Sequence, residues 1–477
     1  MSNSLLVIGP CSYAPERFYV LKIIFNEFLG IDYIYEGVPT VKYVEIRVID
    51  DPSKVIVWPD LFFQTEPVKW LTPKSLPIEP LRIWHVKEDL PEVVSAKPNI
   101  PIIFGVNSEG WLKQVENKIE LGIDIAGSVF FILTRYEELV VAERDEHERF
   151  PAKASLAYRA GFLDRPIVDE YIEILWACMK RLWPGLRRKE RRYRIWLSHD
   201  VDVPLCAAGK PWIMVLRNAG GDLVKRKNIS LFVRRVQSRL LNEPRVDPCN
   251  TFDFIMDMSE RYGLKSTFFF KAGSSNPLYD NDYSLGDPWI QTLMQRAYER
   301  GHEIGIHPSY ESYKDEKTLR LECERLRRVA ESLGISQECW GSRQHYLRWE
   351  NPTTWQICDE SGLDYDSTLG FADHVGFRCG TCHEFPVFNL RTRKALRLRE
   401  RPLIVMDTTL LAPEYMGLGT QQALEWIERL SNTCRRFGGT FTLLWHNTNL
   451  SQSWQRKLYL EALEVITWIG EGIEKIY

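Results

Sequence analysis

The chain has 477 residues, 61 Lys and Arg against 64 Asp and Glu, a net charge of −3, and 44% hydrophobic residues. That is enough apolar material for two or three domains at roughly 100–200 residues each, and the balanced charge supplies no global field for nucleic acid. No apolar run reaches the roughly 18–20 residues of a membrane span, and ten cysteines are too sparse for a disulfide scaffold.

Met1–Pro10 has an apolar stretch only at Leu5–Ile8 and lacks a basic leader, so no signal peptide is expected. With reduced thiols, a cytoplasmic setting is the expectation. Residues 1–190 read as an N-terminal α/β domain. Arg17–Leu29 and Pro166–Leu182 carry helical spacing, with Ile167, Tyr171, Leu175 and Cys178 on one face. Val55–Trp58, Ile100–Phe104 and Gly127–Leu133 read as strands or short buried segments. No chemical motif stands out there. The basic run Arg187–Arg194 reads as a solvated linker, or else as a patch for an anionic glycan or lipid surface.

From residue 191 to 477 strands and helices alternate. Arg194–Ser198, Ser266–Phe270, His302–Ile306, Asp364–Asp366, Leu403–Met406 and Thr440–Trp445 read as strands. Phe252–Tyr262, Trp289–Arg300, Leu319–Leu333, Trp355–Ser361, Gln421–Phe437 and Trp454–Ile473 read as helices, two of them stopped by Gly263 and Gly301. This alternation predicts a parallel sheet, most economically a (β/α) barrel. Between Cys206 and Pro248 lies an insertion with many basic residues, among them Arg217, Lys225, Arg226, Lys227 and Arg234. It reads as a solvated amphipathic helix over the barrel mouth, or as a lid that contacts an acidic or phosphate-bearing glycan carrier.

Barrel enzymes keep their sites just past the carboxyl ends of the strands. That rule selects Asp200, Asp202, His307, Arg343, His345, Asp366 and His446. These are the groups that bind zinc-like metals and move protons. Asp200 and Asp202 share a face of an extended strand, so one could bind a metal while the other stays free as a base; a pair of turn aspartates is the competing reading. His307 is the better metal candidate of its segment, His302 the structural one. His446, at the end of an apolar strand, could equally be a satisfied core histidine. Cys379 and Cys382 form the one close pair, read as plain loop cysteines ahead of zinc or redox chemistry.

Together these segments resemble the NodB-homology domain of polysaccharide deacetylases, carbohydrate esterase family four, over about residues 193–450. The aspartate motif looks like Ser198-His-Asp-Val-Asp202, and the glycine-histidine-glutamate motif like Gly301–His307. The arginine motif looks like Gly341-Ser-Arg-Gln-His-Tyr346, the loosest motif like Asp366–Arg378, and the last like Leu443-Leu-Trp-His446. The resemblance implies a distorted (β/α) barrel and a deacetylase acting on an N-acetylated sugar or glycan with a divalent metal, zinc being the expected ion. It implies Asp202 and His307 as metal ligands and Asp200 as general base. It makes Arg343 the partner of a catalytic carboxylate and His446 the general acid, and places a backbone N–H near Tyr346 at the oxyanion. The family's second ligand histidine is replaced here by Glu311. Glu311 could ligate, His345 could supply the missing nitrogen, or the metal site could be lost; His345 is favoured, because the family has proline there. A non-catalytic glycan-binding protein on the same fold, or a hydrolase of another small C–N amide, is the alternative.

Overall fold

The protein is described from a computed structural model covering residues 4–107, 110–280 and 283–468. The N-terminal strands are β1 (Ser4–Gly9), β2 (Asp32–Gly37), β3 (Tyr43–Val48), β4 (Asp51–Pro59), β5 (Arg82–His85), β6 (Asn99–Ile102), β7 (Leu112–Val115) and β8 (Lys118–Leu121). Six of them form one mixed sheet in the order β2-β1-β3-β4-β8-β7, while β5 and β6 form a separate antiparallel ribbon. Residues alternate in and out along β1 and β3, burying Leu5, Val7, Val44, Ile46 and Val48, as a half-covered strand requires. The helix Ile167–Leu182 forms where its spacing predicts and packs on β4.

The segment Gly127–Leu133 differs from the strand-like reading. It lies in the helix Ile125–Leu133, capped by the Asp124 carboxylate, which accepts from the Gly127 N–H at 2.8 Å. Every residue of that helix is buried, so no polar face exists to betray its period. Arg17–Leu29 begins as the helix Ala14–Lys22 and continues as a π-helical turn, Ile23–Leu29.

The second half contributes β9 (Arg194–Val201), β10 (Ser266–Lys271), β11 (Glu303–His307), β12 (Gly341–Ser342), β13 (Tyr365–Asp366), β14 (Phe385–Asn389), β15 (Lys394–Glu400), β16 (Val405–Met406) and β17 (Thr440–Leu444). They form one sheet ordered β14-β15-β13-β12-β11-β10-β9-β17-β16, parallel throughout except for β14 against β15. Helices alternate with the strands, so the carboxyl ends of β9, β10, β11, β12 and β17 lie along one edge. Strand pairing leaves β14 and β16 as the two ends of the ladder among the described residues. Two backbone bonds tie the segment after β13 to the approach to β16: Leu403 N–H to Leu369 and Gly376 N–H to Ile404. The last helix spans Ser453–Thr467; residues 469–473 of the expected Trp454–Ile473 helix lie outside the described residues. Among the described residues no helix is long and apolar enough to cross a membrane.

One hydrophobic core runs from Leu5 to Ile466, through both halves. A buried ion cluster crosses the same seam. Glu138 accepts from Arg135 Nε at 2.8 Å and from Arg378 Nη2 at 2.6 Å, all three side chains being about 2% exposed. Burial works against the charge on Glu138, but Arg378 and Arg135 outweigh it and hold the carboxyl below its ordinary value. Glu138→Ala leaves two guanidinium groups buried without this partner, a change that typically costs about 3–5 kcal/mol. The expected outcome is a clear drop in the urea unfolding midpoint, with the signals from both halves shifting together.

Candidate active site at the strand carboxyl ends

The parallel strands bring six sequence-selected side chains to one cavity or its floor. Asp200 is the penultimate residue of β9, and Asp202 follows the strand. His307 ends β11, Arg343 and His345 follow β12, and His446 follows β17. The cavity holds about 540 Å³ and is lined by Asp200, Asp202, His307, His345 and His446 together with Tyr279, Tyr346, Tyr415, Met406, Leu411 and Trp454.

Asp202 Oδ1 is the focus. His307 Nε2 lies 3.1 Å and His345 Nε2 3.4 Å from it, and His446 Nε2 lies 3.5 Å from Oδ2. The distal nitrogens of these rings are already committed. His307 Nδ1 donates to the Arg343 carbonyl at 2.5 Å, and His345 Nδ1 to the Asp280 carboxylate at 2.9 Å. Both acceptors lack a proton to give, so each neutral ring turns its Nε2 lone pair toward Asp202. Asp202 Oδ1 is itself buried and finds no hydrogen-bond donor in good geometry. Asp202, His307 and His345 thus offer three ligand atoms within 4.8 Å of one another. Glu311 stands apart: it pairs with Arg348 at 2.9 Å.

The electrostatics divide the imidazoles. Burial pushes His345 below its ordinary value, against the pull of Asp280 and Asp202, which favours the neutral ring. Burial also opposes charge on His307, but Asp200 and Asp202 outweigh it and raise the ring's pKa, so the position attracts positive charge. For His446 burial is again unfavourable. The Asp407 carboxylate, accepting from Nδ1 at 2.7 Å, overrides it with help from Asp202 and Asp200 and lifts the ring to about 10. Burial likewise opposes the charged form of Asp202, yet the surrounding imidazoles hold its carboxyl well below the usual range.

Arg343 is fully buried and donates from Nη1 to Asp200 Oδ1 at 3.1 Å and to Ser198 Oγ at 2.7 Å. Its other nitrogens donate to the carbonyl and hydroxyl of Ser367 at 3.0 Å. The guanidinium is therefore fixed as well as paired. Tyr346 and Leu347, on the cavity wall, hold left-handed backbone at φ 60° and 55°, a conformation costing roughly 1–2 kcal/mol per residue. Such strain is commonest at functional sites.

Other sequence-selected residues lie elsewhere. Asp366 accepts from Ser342 and Thr368 inside the sheet, and Arg378 belongs to the Glu138 cluster. His302 accepts from the Ser266 N–H at 3.1 Å, a structural role. Cys379 and Cys382 are buried thiols, and Cys382 donates to Asp169. Polar residues at the site that escaped the sequence reading include Asp407, Asp280 and Arg149. Asp407 sits directly past β16, where the strand-end rule would have found it. Asp280 comes from the loop nine residues beyond β10, with no periodic signal. Arg149 comes from the N-terminal half, where no chemical motif stood out; it lines the cavity and donates to the Tyr346 carbonyl at 3.0 Å.

Residues 5–184 match the model of a family of unknown function, DUF7033. No curated protein matches the sequence. Solved structures similar to this chain include a protein described as a polysaccharide deacetylase from Mycobacterium smegmatis. It is 18% identical over 59% of this chain and 86% of its own, with a TM-score of 0.39. A second is the Xyl-CE4 domain of a multidomain xylanase from the hindgut metagenome of Trinervitermes trinervoides, 14% identical over 58% and 82%, TM-score 0.27. A third is Agd3, a carbohydrate deacetylase, 9% identical over 98% and 84%, TM-score 0.33.

The His446–Asp407 pair sets a pH expectation. A ring whose pKa rises on folding adds stability that is complete below about 6.5 and is lost as pH climbs toward about 10. In Asp407→Asn, measured by imidazole NMR with chelator present, the His446 titration moves down, and stability falls less between those pH values than in the parent.

Proposed function

We propose that this chain is a divalent-metal-dependent hydrolase that removes N-acetyl groups from an amino sugar or glycan. The observation that carries the reading is the convergence of Asp202 Oδ1, His307 Nε2 and His345 Nε2 at one point between Asp200 and His446. The two Nε2 atoms and the Asp202 oxygen frame a point that draws positive charge, as the raised pKa of His307 shows, and a bound cation would answer it. The N,N,O donor set suits zinc with a position left open for chemistry. Asp280 and the Arg343 carbonyl are the outer partners that orient the two rings, an arrangement common around metal-ligating histidines. Asp202, His307 and His345 would therefore hold the ion, and Glu311, neutralised by Arg348, would not.

When bound, a divalent ion polarises the amide carbonyl and makes water acidic near neutral pH. The remaining steps belong to the chain. Asp200, 3.9 Å from His307 Nε2 and held by Arg343, takes the proton from the attacking water. His446 presents Nε2–H from the other side, with Asp407 fixing its Nδ1 proton, and protonates the nitrogen that leaves. Water thus splits the amide C–N bond into acetate and a free amine. Tyr279, Tyr346, Tyr415 and Trp454 give the cavity flat walls suited to sugar rings, and its volume lies within the roughly 300–1,000 Å³ usual for small-molecule sites.

The sheet is read as a distorted barrel, its gap closed by residues 369–376 against 403–404 through the two backbone bonds. Residues 1–190 are read as a distinct unit that walls the cavity through Arg149.

Two measurements test the reading. Elemental analysis of the purified chain should find a divalent metal that His307→Ala and His345→Ala lose and Glu311→Ala keeps. Acetate release from N-acetylglucosamine oligomers should fall by about 10²–10⁴ in Asp200→Ala, the usual scale for a general base, with fold and metal retained. An active Asp200→Ala enzyme would remove the mechanism.

A further inference from the structure

The insertion after β9 folds into two helices, Trp212–Val224 and Ile229–Leu241, joined by the turn Lys225-Arg-Lys-Asn228. Its base is tied by Asp247, whose carboxylate accepts from the backbone N–H groups of Cys206, Ala207, Ala208 and Cys249. The hairpin buries an ion pair and leaves much of its apolar surface outside. Its buried positions include Asp222, fully enclosed, and Arg235, which donates to it from Nε at 2.6 Å. Val215 and Leu231 are buried with them, but most of its large aliphatic side chains face water. Ile213 (83% exposed), Leu216 and Val224 recur along one face of the first helix, and Ile229 (70% exposed), Val233 and Leu240 along one face of the second. A helical hairpin satisfied by its own fold turns such stripes inward.

Charge completes the pattern. Residues 206–248 hold nine Lys and Arg against three Asp and Glu, a net of +6 in a chain whose total is −3. Arg217, Lys225 and Lys227 are exposed beside the apolar stripes, and the two lysines sit in the turn between Val224 and Ile229. Apolar stripes bordered by Lys and Arg on short surface helices are the chemistry of an element lying in a bilayer interface. The hairpin also neighbours the candidate cavity: its second helix shares a cleft with Ser451, Gln452, Ser453 and Arg456, and Trp454, in the first turn of the last helix, lines the cavity.

We propose that this hairpin docks the protein on an anionic lipid bilayer, with Ile213, Leu216, Val224 and Ile229 entering the interface and Arg217, Lys225 and Lys227 meeting lipid phosphates. The positive charge matches an anionic leaflet, and each basic residue near such a surface contributes enough that losing three weakens binding on the order of a hundredfold. This docking is independent of the hydrolase reading, so Asp200→Ala should bind vesicles as the parent does.

The test is flotation of the full chain with vesicles of phosphatidylcholine alone and of phosphatidylcholine mixed with phosphatidylglycerol. The expected result is binding to the mixed vesicles only, weakened by added salt. Binding should drop on the order of a hundredfold in Arg217→Glu/Lys225→Glu/Lys227→Glu and at least tenfold in Ile213→Asp/Val224→Asp. If those variants fail to fold, the parent's dependence on phosphatidylglycerol and salt still decides. Absent binding, or equal binding to both vesicles, overturns the proposal. So does light scattering that shows a dimer dissolved by Ile213→Asp/Val224→Asp, which would make the face a contact between copies of this chain.

Discussion

Two histidines with their outer nitrogens already spoken for aim their inner lone pairs at the same carboxylate oxygen, and most of the site follows from that constraint. His307 is locked by the Arg343 carbonyl and His345 by Asp280. Each lock fixes a tautomer, and the tautomer fixes where the free lone pair points. Parallel strands make the convergence possible. β9, β11 and β12 end side by side, so the residues just past them are neighbours although more than 140 positions separate Asp202 from His345 in sequence. Asp280 is itself held by backbone N–H groups of Ser275, Asn276 and Tyr310. Its carboxyl sits at about 2 although burial opposes the charge, because His345 and those N–H groups prevail.

The same economy separates Asp200 from His446. Asp200 faces a guanidinium anchored at four points, whereas His446 faces the carboxylate of Asp407. The second pair favours a charged imidazole. Arg343 also needs its partners for stability: a fully buried guanidinium is tolerable only when its donors are matched, and here its bonds go to Asp200, Ser198 and Ser367.

Much of this was readable from residue order. Strand–helix alternation marked the parallel sheet, and the rule of looking just past each strand selected Asp200, Asp202, His307, Arg343, His345 and His446 without coordinates. Asp407 obeyed the same rule, one residue past the expected strand Leu403–Met406, and was passed over. Asp280 was not readable, since a loop residue nine positions past its strand carries no period. The helix Ile125–Leu133 was ambiguous because total burial erases the polar face that distinguishes 3.6 from 2. The insertion was seen as basic and amphipathic, but which stripe turns inward depends on the pairing of Asp222 with Arg235, thirteen residues apart, and no local pattern reveals that.

The N-terminal half earns a place in the same argument through backbone strain. Tyr346 and Leu347 follow His345 directly and sit in the left-handed region, where side chains with a Cβ are disfavoured. Such a turn persists only where its surroundings over-determine it. Here Leu347 N–H bonds to Gln344, and Arg149 donates to the Tyr346 carbonyl while its own Nε is held by Asp145. Arg149 thus reaches from the first half of the chain to a strained turn one residue past His345. A shift of that turn would move His345 Nε2 relative to Asp202, so the geometry of the three-atom cluster is coupled to residues that sequence alone places in another unit.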